Sequence, residues 1–152
     1  MTKHIIDQWP AAPSGWPLEL QHAFAAGAGN GKVGSLLVSE TERVRVWLLR
    51  LRPGERIGFH THVLDYFWTA VTAGRARSNY GDGLAKEVAY QAGDTQHRRY
   101  MAGECMIHDL ENTGDTELVF TTVEFLDSAN AALPLLPYEA QPADAAGHAT
   151  PR

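Results

Sequence analysis

The fold of this sequence is decided by the stretch Pro53-Gly54-Glu55-Arg56-Ile57-Gly58-Phe59-His60-Thr61-His62. It contains two histidines one residue apart, and a Pro-Gly turn precedes them. Side chains on a β-strand alternate between its two faces, so on a strand His60 and His62 project from the same face. Their imidazoles then lie close enough to bind one metal ion at about 2.1 Å each. The stretch therefore predicts two ligands of a metal site near the end of a strand.

A third ligand has to come from a distant part of the chain, and His108 is the best candidate. It lies in Met106-Ile107-His108-Asp109-Leu110, where alternation puts Met106 and Leu110 on the same face as the histidine. An imidazole between buried apolar neighbours requires a polar partner, because an unsatisfied buried polar group costs several kcal/mol. A metal ion shared with His60 and His62 would provide it. A surface histidine or a hydrogen-bonded core histidine is the alternative interpretation.

The segments around these histidines predict an all-β fold. Between residues 35 and 126, short apolar or alternating runs are separated by turn residues. Many short strands with turns at this spacing are typical of a β-sandwich or a β-barrel. Besides the strand of His60 and His62, the pattern predicts strands at residues 44–51, 66–72, 75–79, 85–90, 97–101, 105–110 and 118–125.

With these residues identified, the sequence resembles the cupin superfamily over about residues 44–125. The matching residues are Gly54, His60, His62 and Gly74 for the first cupin motif and His108 and Asn112 for the second. The resemblance implies a jelly-roll β-barrel that holds one divalent metal ion through the three histidines. The resemblance implies Fe as the ion, since related three-histidine cupin sites often use Fe(II), with Mn, Zn or Ni as alternatives. The residues alone do not name the metal, because geometry and availability select it more than intrinsic affinity does.

The first motif is incomplete at the position of its usual glutamate ligand. The motif's spacing places that glutamate at Phe67, so a fourth protein ligand is missing. Asp65 has the same strand parity as Phe67, and a small bulge could bring its carboxylate to the metal. The alternative is that Asp65 forms a turn or pairs with an arginine.

The rest of the chain predicts one domain with irregular ends. Residues 1–34 are expected to form an N-terminal arm with Trp9 and Trp16 as anchors, and 18–24 within it a short helical turn. Residues 35–126 form the barrel, and 127–152 form a C-terminal strap, at 133–137, and a disordered tail. An arm of this kind is compatible with a homodimer, and equally with a monomer whose arm folds back on its own barrel.

The composition of the chain argues against some classes of binding partner and favours one cellular compartment. The net charge of −5 and the scattered arginines argue against nucleic acid or an anionic membrane as a partner. A single cysteine excludes an internal disulfide, and no segment reaches the roughly 20 apolar residues of a membrane span. With no signal-peptide pattern at the N-terminus, the sequence predicts a cytoplasmic protein that acts on a small molecule.

The predicted function is that of a metal-dependent enzyme acting on a small oxygenated organic molecule, with an Fe(II) dioxygenase as its most specific form. Tyr66 is a candidate acid or hydrogen-bond donor, although a strand tyrosine is more often a packing residue. His97 is a candidate catalytic or substrate-binding group, although it is also compatible with the surface. Arg98 and Arg99 alternate faces, so at most one points inward, where it could bind a substrate carboxylate.

Two other functions are compatible with the same residues. One is a non-redox isomerase or lyase that uses Zn or Mn. The other is a small-molecule-binding cupin without turnover, which a closed and dry pocket would favour.

Overall fold

The computed structural model describes residues 2–135. Within them, one helix precedes nine strands along the chain. The elements are α1 (Leu18–Gly27), β1 (Leu36–Glu40), β2 (Val44–Leu51), β3 (Arg56–His62), β4 (Tyr66–Ala70), β5 (Gly74–Asn79), β6 (Ala85–Tyr90), β7 (Thr95–Arg98), β8 (Met106–Asn112) and β9 (Leu118–Phe125). No helix among the described residues combines the length and the apolar character that crossing a bilayer would require.

The nine strands form two antiparallel sheets around a shared core. One sheet has the order β1-β2-β9-β4-β7, and the other has the order β3-β8-β5-β6. The largest core cluster draws on both, with Leu49, Leu118 and Phe120 from the first sheet and Ala76 and Leu110 from the second. The architecture confirms the predicted all-β jelly roll, with the difference that the two sheets are not hydrogen-bonded into a closed cylinder.

Most predicted strands are found at or near their expected positions. Strands β2, β6 and β9 have the predicted bounds, whereas β1 was not predicted. Strand β7 begins two residues earlier than expected and ends at Arg98. It ends there because the backbone N–H of Tyr100 donates to Asp65 Oδ1 (2.9 Å) instead of continuing the pairing with β4.

The N-terminal arm lies on the chain's own sheet and contains a longer helix than predicted. Phe24 of α1 packs with Phe59 of β3 and Ile107 of β8, and Trp16 joins this cluster. The helix lies so close to β3 that a Cβ at Gly27 would approach Phe59 Cβ to 2.4 Å. Only glycine allows that approach, so Gly27 fixes the helix against the strand.

The described part of the C-terminal segment also packs on the barrel. Leu133 is buried with Val63 and Leu64, and its carbonyl accepts a hydrogen bond from Arg45 Nη1 (3.1 Å). The start of the predicted strap at 133–137 therefore lies across the barrel, and the predicted disordered tail falls outside the described residues.

One residue of the five-stranded sheet has a buried carboxyl group. Glu124 of β9 is 3% exposed, and its Oε1 accepts a hydrogen bond from Trp47 Nε1 at 2.8 Å. Burial raises the pKa of Glu124 to about 7, and the Trp47 hydrogen bond and the charge of Arg45 only partly offset that effect.

Candidate metal centre

Pairing of β3 with β8 brings the three predicted histidines together. His60 is directly opposite His108 in the register, and His62 is opposite Met106. The ring centroids of His60 and His108 are 4.6 Å apart, and each lies 5.2 Å from the ring of His62. One nitrogen from each ring lies within 4.8 Å of the others. Two distant stretches of sequence therefore converge on one point, as predicted.

The nitrogen positions fit a shared metal ion. His62 Nε2 and His108 Nε2 are 3.3 Å apart. Two nitrogens at about 2.1 Å from one ion are separated by roughly 3.0 Å in octahedral and 3.4 Å in tetrahedral geometry. His60 Nδ1 lies 2.9 Å from the carbonyl oxygen of Gly58. With the proton on Nδ1 donated to that carbonyl, Nε2 keeps its lone pair for a metal.

The alternative of a hydrogen-bonded core histidine does not describe His62 and His108. The Nδ1 atoms of both rings are buried and have no hydrogen-bond partner among residues 2–135. Their Nε2 atoms face each other rather than a carboxylate or a carbonyl. An ion bound by Nε2 of both rings would supply a polar partner at those two atoms, in place of their contact with each other.

Burial keeps the three imidazoles neutral. It lowers the pKa of His60 to about 4, and it lowers the pKa of His62 and His108 well below 6.5. For His62 and His108, the neighbouring histidine charge and the charge of Arg98 lower the pKa further. Neutral imidazoles are the form that binds metals, and a set of three adds no charge to that of the ion.

Hydrogen bonds on the far side of β3 hold its histidines in place. Thr61 lies between them in sequence, and its side chain faces the N-terminal arm. Its backbone N–H donates to the carbonyl of Asn30 at 2.7 Å. Its Oγ1 donates to the carbonyl of Gly27 (2.7 Å) and accepts from the N–H of Gly29 (3.0 Å). Since Thr61 is fixed outward by three hydrogen bonds, His60 and His62 are directed inward.

A second network supports the strand of His108. Asp109 is 1% exposed, and its Oδ2 accepts hydrogen bonds from Arg56 Nε (2.9 Å) and Arg56 Nη2 (2.7 Å). Its Oδ1 accepts from the backbone N–H of Asn79 at 2.6 Å. Asp109 thus ties β8 to both neighbouring strands, next to the third histidine.

The three histidines line a cavity of about 530 Å³ between the two sheets. Tyr66, Trp68 and Met106 are among its walls. The other lining residues that bear on its chemistry are Ser78, Tyr80, Lys86, Tyr90, Asp94, Arg98, Phe120 and Thr122. A volume of this size is typical of a small-molecule site.

Solved structures with a similar fold share this architecture. A cupin domain from Bordetella pertussis Tohama I is 29% identical, with a TM-score of 0.52, over 59% of this chain and 88% of that chain. This chain has the cupin fold. A protein with a double-stranded β-helix domain from Klebsiella pneumoniae subsp. pneumoniae MGH 78578 is 26% identical (TM-score 0.49; 65% and 75% covered). No protein-family model matches the sequence, and no curated protein is similar to it.

At the position of the missing cupin glutamate, the structure directs Phe67 away from the histidines and places Tyr66 beside them. The motif's spacing placed the glutamate at Phe67, but Phe67 points away from the cavity and packs against His97 and Phe125. The side chain beside the histidines is Tyr66, whose ring stacks on His62 with centroids 4.2 Å apart and planes 16° from parallel. Burial raises the pKa of Tyr66 well above 10, so its hydroxyl stays protonated. A phenol therefore occupies the place beside the cupin histidines.

Asp65 does not join the histidine group. Its Oδ1 accepts the hydrogen bond from Tyr100, and its Oδ2 lies 3.9 Å from Arg99 Nε. Of the two interpretations, the turn and arginine pairing is the one the structure shows. The second-motif Asn112 has a similar structural role, because its Nδ2 donates to the carbonyls of Leu51 (2.9 Å) and Thr116 (2.8 Å).

The structure does not bring His97 into the cupin cavity. His97 is exposed on β7, and its ring contacts Phe67 on the outer face of the sheet. Because side chains alternate, the next residue, Arg98, lines the cavity instead. The sequence left open whether Arg98 or Arg99 points inward, and the bounds of β7 decide it.

Several cavity residues were not predicted from the sequence. Lys86 and Tyr90 line the cavity from β6, and Tyr80 lines it from the end of β5. Alternation along β6 would have placed Lys86, Val88 and Tyr90 on one face. No apolar pattern marks that face as the inner one, because most of β6 is exposed.

Proposed function

We propose that this chain is a metal-dependent enzyme that acts on a small oxygenated organic molecule, and that its most specific form is an Fe(II)-dependent dioxygenase. The observation that carries the proposal is the convergence of His60, His62 and His108, all neutral, on the wall of a cavity of about 530 Å³. A site that served only to stabilise the fold would have no need of a cavity beside its ligands.

The ligand set favours a metal with strong Lewis acidity. Three neutral imidazoles leave the full charge of a divalent ion at the site, and Fe, Mn, Zn and Ni all accept imidazole ligands. When bound, the ion would polarise an oxygen atom of the substrate, and Fe(II) would in addition permit reaction with O₂. Three histidines suit zinc as well as iron, so the ligand set alone does not choose the metal, and it is the resemblance to the cupin superfamily that supports iron.

The side chains around the histidines would position the substrate and exclude water. Trp68, Tyr90 and Phe120 form a wall of edge-to-face rings with centroids 4.9–5.5 Å apart. Such a wall is rigid and apolar, so it favours a flat or apolar substrate body. The protonated hydroxyl of Tyr66 would donate a hydrogen bond to a substrate oxygen close to His62.

The identity of the metal and the polarity of the cavity distinguish the two other candidate functions from the dioxygenase. A non-redox isomerase or lyase would use Zn or Mn in the same ligand set. A small-molecule-binding cupin without turnover was expected to have a closed, dry pocket, whereas this cavity contains polar groups such as Ser78 and Thr122. The cavity therefore favours an enzyme.

Elemental analysis of protein purified without added metal tests the proposal. We expect close to one divalent ion per chain, and at least a tenfold loss of bound metal in His60→Ala. The barrel of this variant should stay folded, because the large core cluster lies on other residues. His22→Ala is the matched control, since His22 is exposed on α1 and should not affect metal content. Equal metal contents in the two variants would refute the metal site.

A second measurement separates the dioxygenase from the non-redox enzyme. Metal-free protein is loaded with Fe(II) under anaerobic conditions, and O₂ uptake is followed over a panel of enolisable and phenolic compounds. Uptake that depends on both Fe(II) and one substrate class would support the dioxygenase. Native Zn or Mn without any O₂ uptake would contradict it and favour isomerase or lyase chemistry.

A further inference from the structure

Two positively charged side chains line the cavity away from the histidines. Arg98 is at the end of β7, and Lys86 is on β6, so the two come from the edge strands of opposite sheets. A second cavity of about 320 Å³ adjoins the first, and its lining also includes Arg98 and Lys86. Both cations therefore lie where the two cavities meet.

Neither cation has an anionic partner among residues 2–135. Arg98 Nε is buried and has no hydrogen-bond partner there. Lys86 Nζ lies 5.2 Å from the ring centroid of Tyr80 and forms no salt bridge with the described residues. A buried guanidinium nitrogen without a partner is costly, so a ligand that accepts its hydrogen bond would be bound favourably.

Among the arginines without a carboxylate within 4.0 Å in the described residues, Arg98 is the one that is not exposed, since Arg43, Arg52 and Arg77 are exposed. The arginines that contact a carboxylate within 4.0 Å in the described residues are Arg45, Arg50, Arg56, Arg75 and Arg99. Arg98 and Arg99 are neighbours in sequence, yet Arg99 has 90% of its side chain exposed. The acidic lining residues Asp94 and Asp82 are exposed, and each accepts a hydrogen bond from a nearby backbone N–H, of Gln91 and Leu84 respectively.

We propose that Arg98 and Lys86 form a carboxylate-binding subsite, and that the substrate is a small organic acid. The carboxylate of the acid accepts hydrogen bonds from the guanidinium of Arg98, which presents a planar fork suited to two oxygens, and Lys86 adds a second positive charge. The aromatic wall of Trp68 and Tyr90 contacts the body of the acid. That the other end of the acid points toward the three histidines is an inference that rests on the proposed function. The carboxylate subsite itself does not depend on that function.

Ligand-observed ¹⁹F NMR with 4-fluorobenzoate tests the subsite on protein made metal-free by a chelator. The neutral analogue 4-fluorobenzamide has nearly the same shape, so the comparison isolates the contribution of the carboxylate charge. We expect 4-fluorobenzoate to bind at least tenfold more tightly than 4-fluorobenzamide. We also expect Arg98→Met to weaken 4-fluorobenzoate binding at least tenfold, and Lys86→Met to weaken it about threefold.

The matched control is Arg99→Met, which removes the same charge one residue away on the exposed face and should leave binding unchanged. Unchanged affinity in Arg98→Met, equal affinity for acid and amide, or no binding of the acid at millimolar concentration would each overturn the subsite. If Arg98→Met does not fold by circular dichroism, Lys86→Met and the acid–amide comparison decide. Metal content is measured on each variant as purified, before the chelator is added, so loss of the metal function and loss of the subsite are told apart.

Discussion

Strands β3 and β6 are the two edges of the same four-stranded sheet, and they differ in almost every respect. Strand β3 has four of its seven residues buried, and α1 and the arm pack against it. No residue of β6 is buried, and five of its six are exposed. We refer to β3 as the covered edge and to β6 as the open edge.

The two edges contribute different residues to the candidate site. The covered edge supplies His60 and His62, and rigid ligands are what a metal requires. The open edge supplies Lys86 and Tyr90 to the cavity wall, and its exposure would suit the entry and exit of the proposed substrate. The burial of β3 and the exposure of β6 indicate that the covered edge contributes more to the stability of the fold than the open edge does.

The largest effect is expected for Phe59→Ala on the covered edge. Phe59 is 4% exposed and packs on Phe24 and Ile107. Removing a buried phenylalanine ring costs about 3–5 kcal/mol, so the free energy of unfolding should fall by that amount in urea denaturation. Val88→Ala on the open edge is the control and should change stability by less than about 1 kcal/mol, because Val88 is 40% exposed. Similar losses in both variants would contradict the comparison.

The next largest effect concerns the pH dependence of stability. It compares two carboxyl groups, the buried Glu124 and the exposed Glu87 of the open edge. The pKa of Glu124 rises from 4.5 to about 7 in the folded protein. Because the folded state holds this proton more tightly, its contribution to stability is complete below about pH 4.5 and is lost as the pH rises through 7. Glu124→Gln keeps a neutral acceptor for Trp47, so we expect it to stabilise the metal-free protein by about 2–3 kcal/mol at pH 8.

At pH 4.5 and below, Glu124→Gln should be nearly neutral, and urea denaturation at the two pH values measures the difference. Glu87→Gln serves as the control, since its partner Arg75 is exposed and such pairs contribute little. A Glu124→Gln variant with the same pH dependence as the wild type would show that this carboxyl group is not the one that titrates.

A smaller effect is expected for Thr61→Val, which removes the hydroxyl that ties the arm to the covered edge. The substitution keeps the shape but leaves the carbonyl of Gly27 and the N–H of Gly29 without their partner. We expect a loss of about 1–3 kcal/mol in unfolding free energy and faster hydrogen exchange at the end of β3. Thr95→Val removes an exposed hydroxyl that bonds to Thr69, and water can replace that bond, so its loss should be under about 0.5 kcal/mol.

The sequence predicts most of the fold because strand alternation and turn residues are local signals. Strands β2 and β9 pair over their full lengths, and their apolar alternation marks the bounds directly. The three histidines of the candidate metal centre follow from the same alternation together with the cupin spacing. The sequence does not predict strand β1, and it predicts a helix shorter than α1. Both elements depend on packing partners that lie elsewhere in the chain.

The remainder of the site depends on contacts that no local pattern records. His97 and Arg98 exchange faces if β7 shifts by one residue, and the end of β7 is fixed by the distant Asp65. The choice between Tyr66 and Phe67 likewise depends on which face of β4 turns inward after the loop at Val63 and Leu64. In both cases a shift of one residue decides which side chain faces the cavity.

The pairing of β3 with β8 also sets the order in which the proposed metal site is assembled during synthesis. His60 and His62 leave the ribosome well before His108, since 46 residues separate His62 from His108. An emerging chain therefore presents a two-histidine half-site first, and the complete site requires the long-range pairing that forms slowly in β-rich proteins. Capture of the ion is thus expected as a late event in folding, when the barrel around it is already largely built.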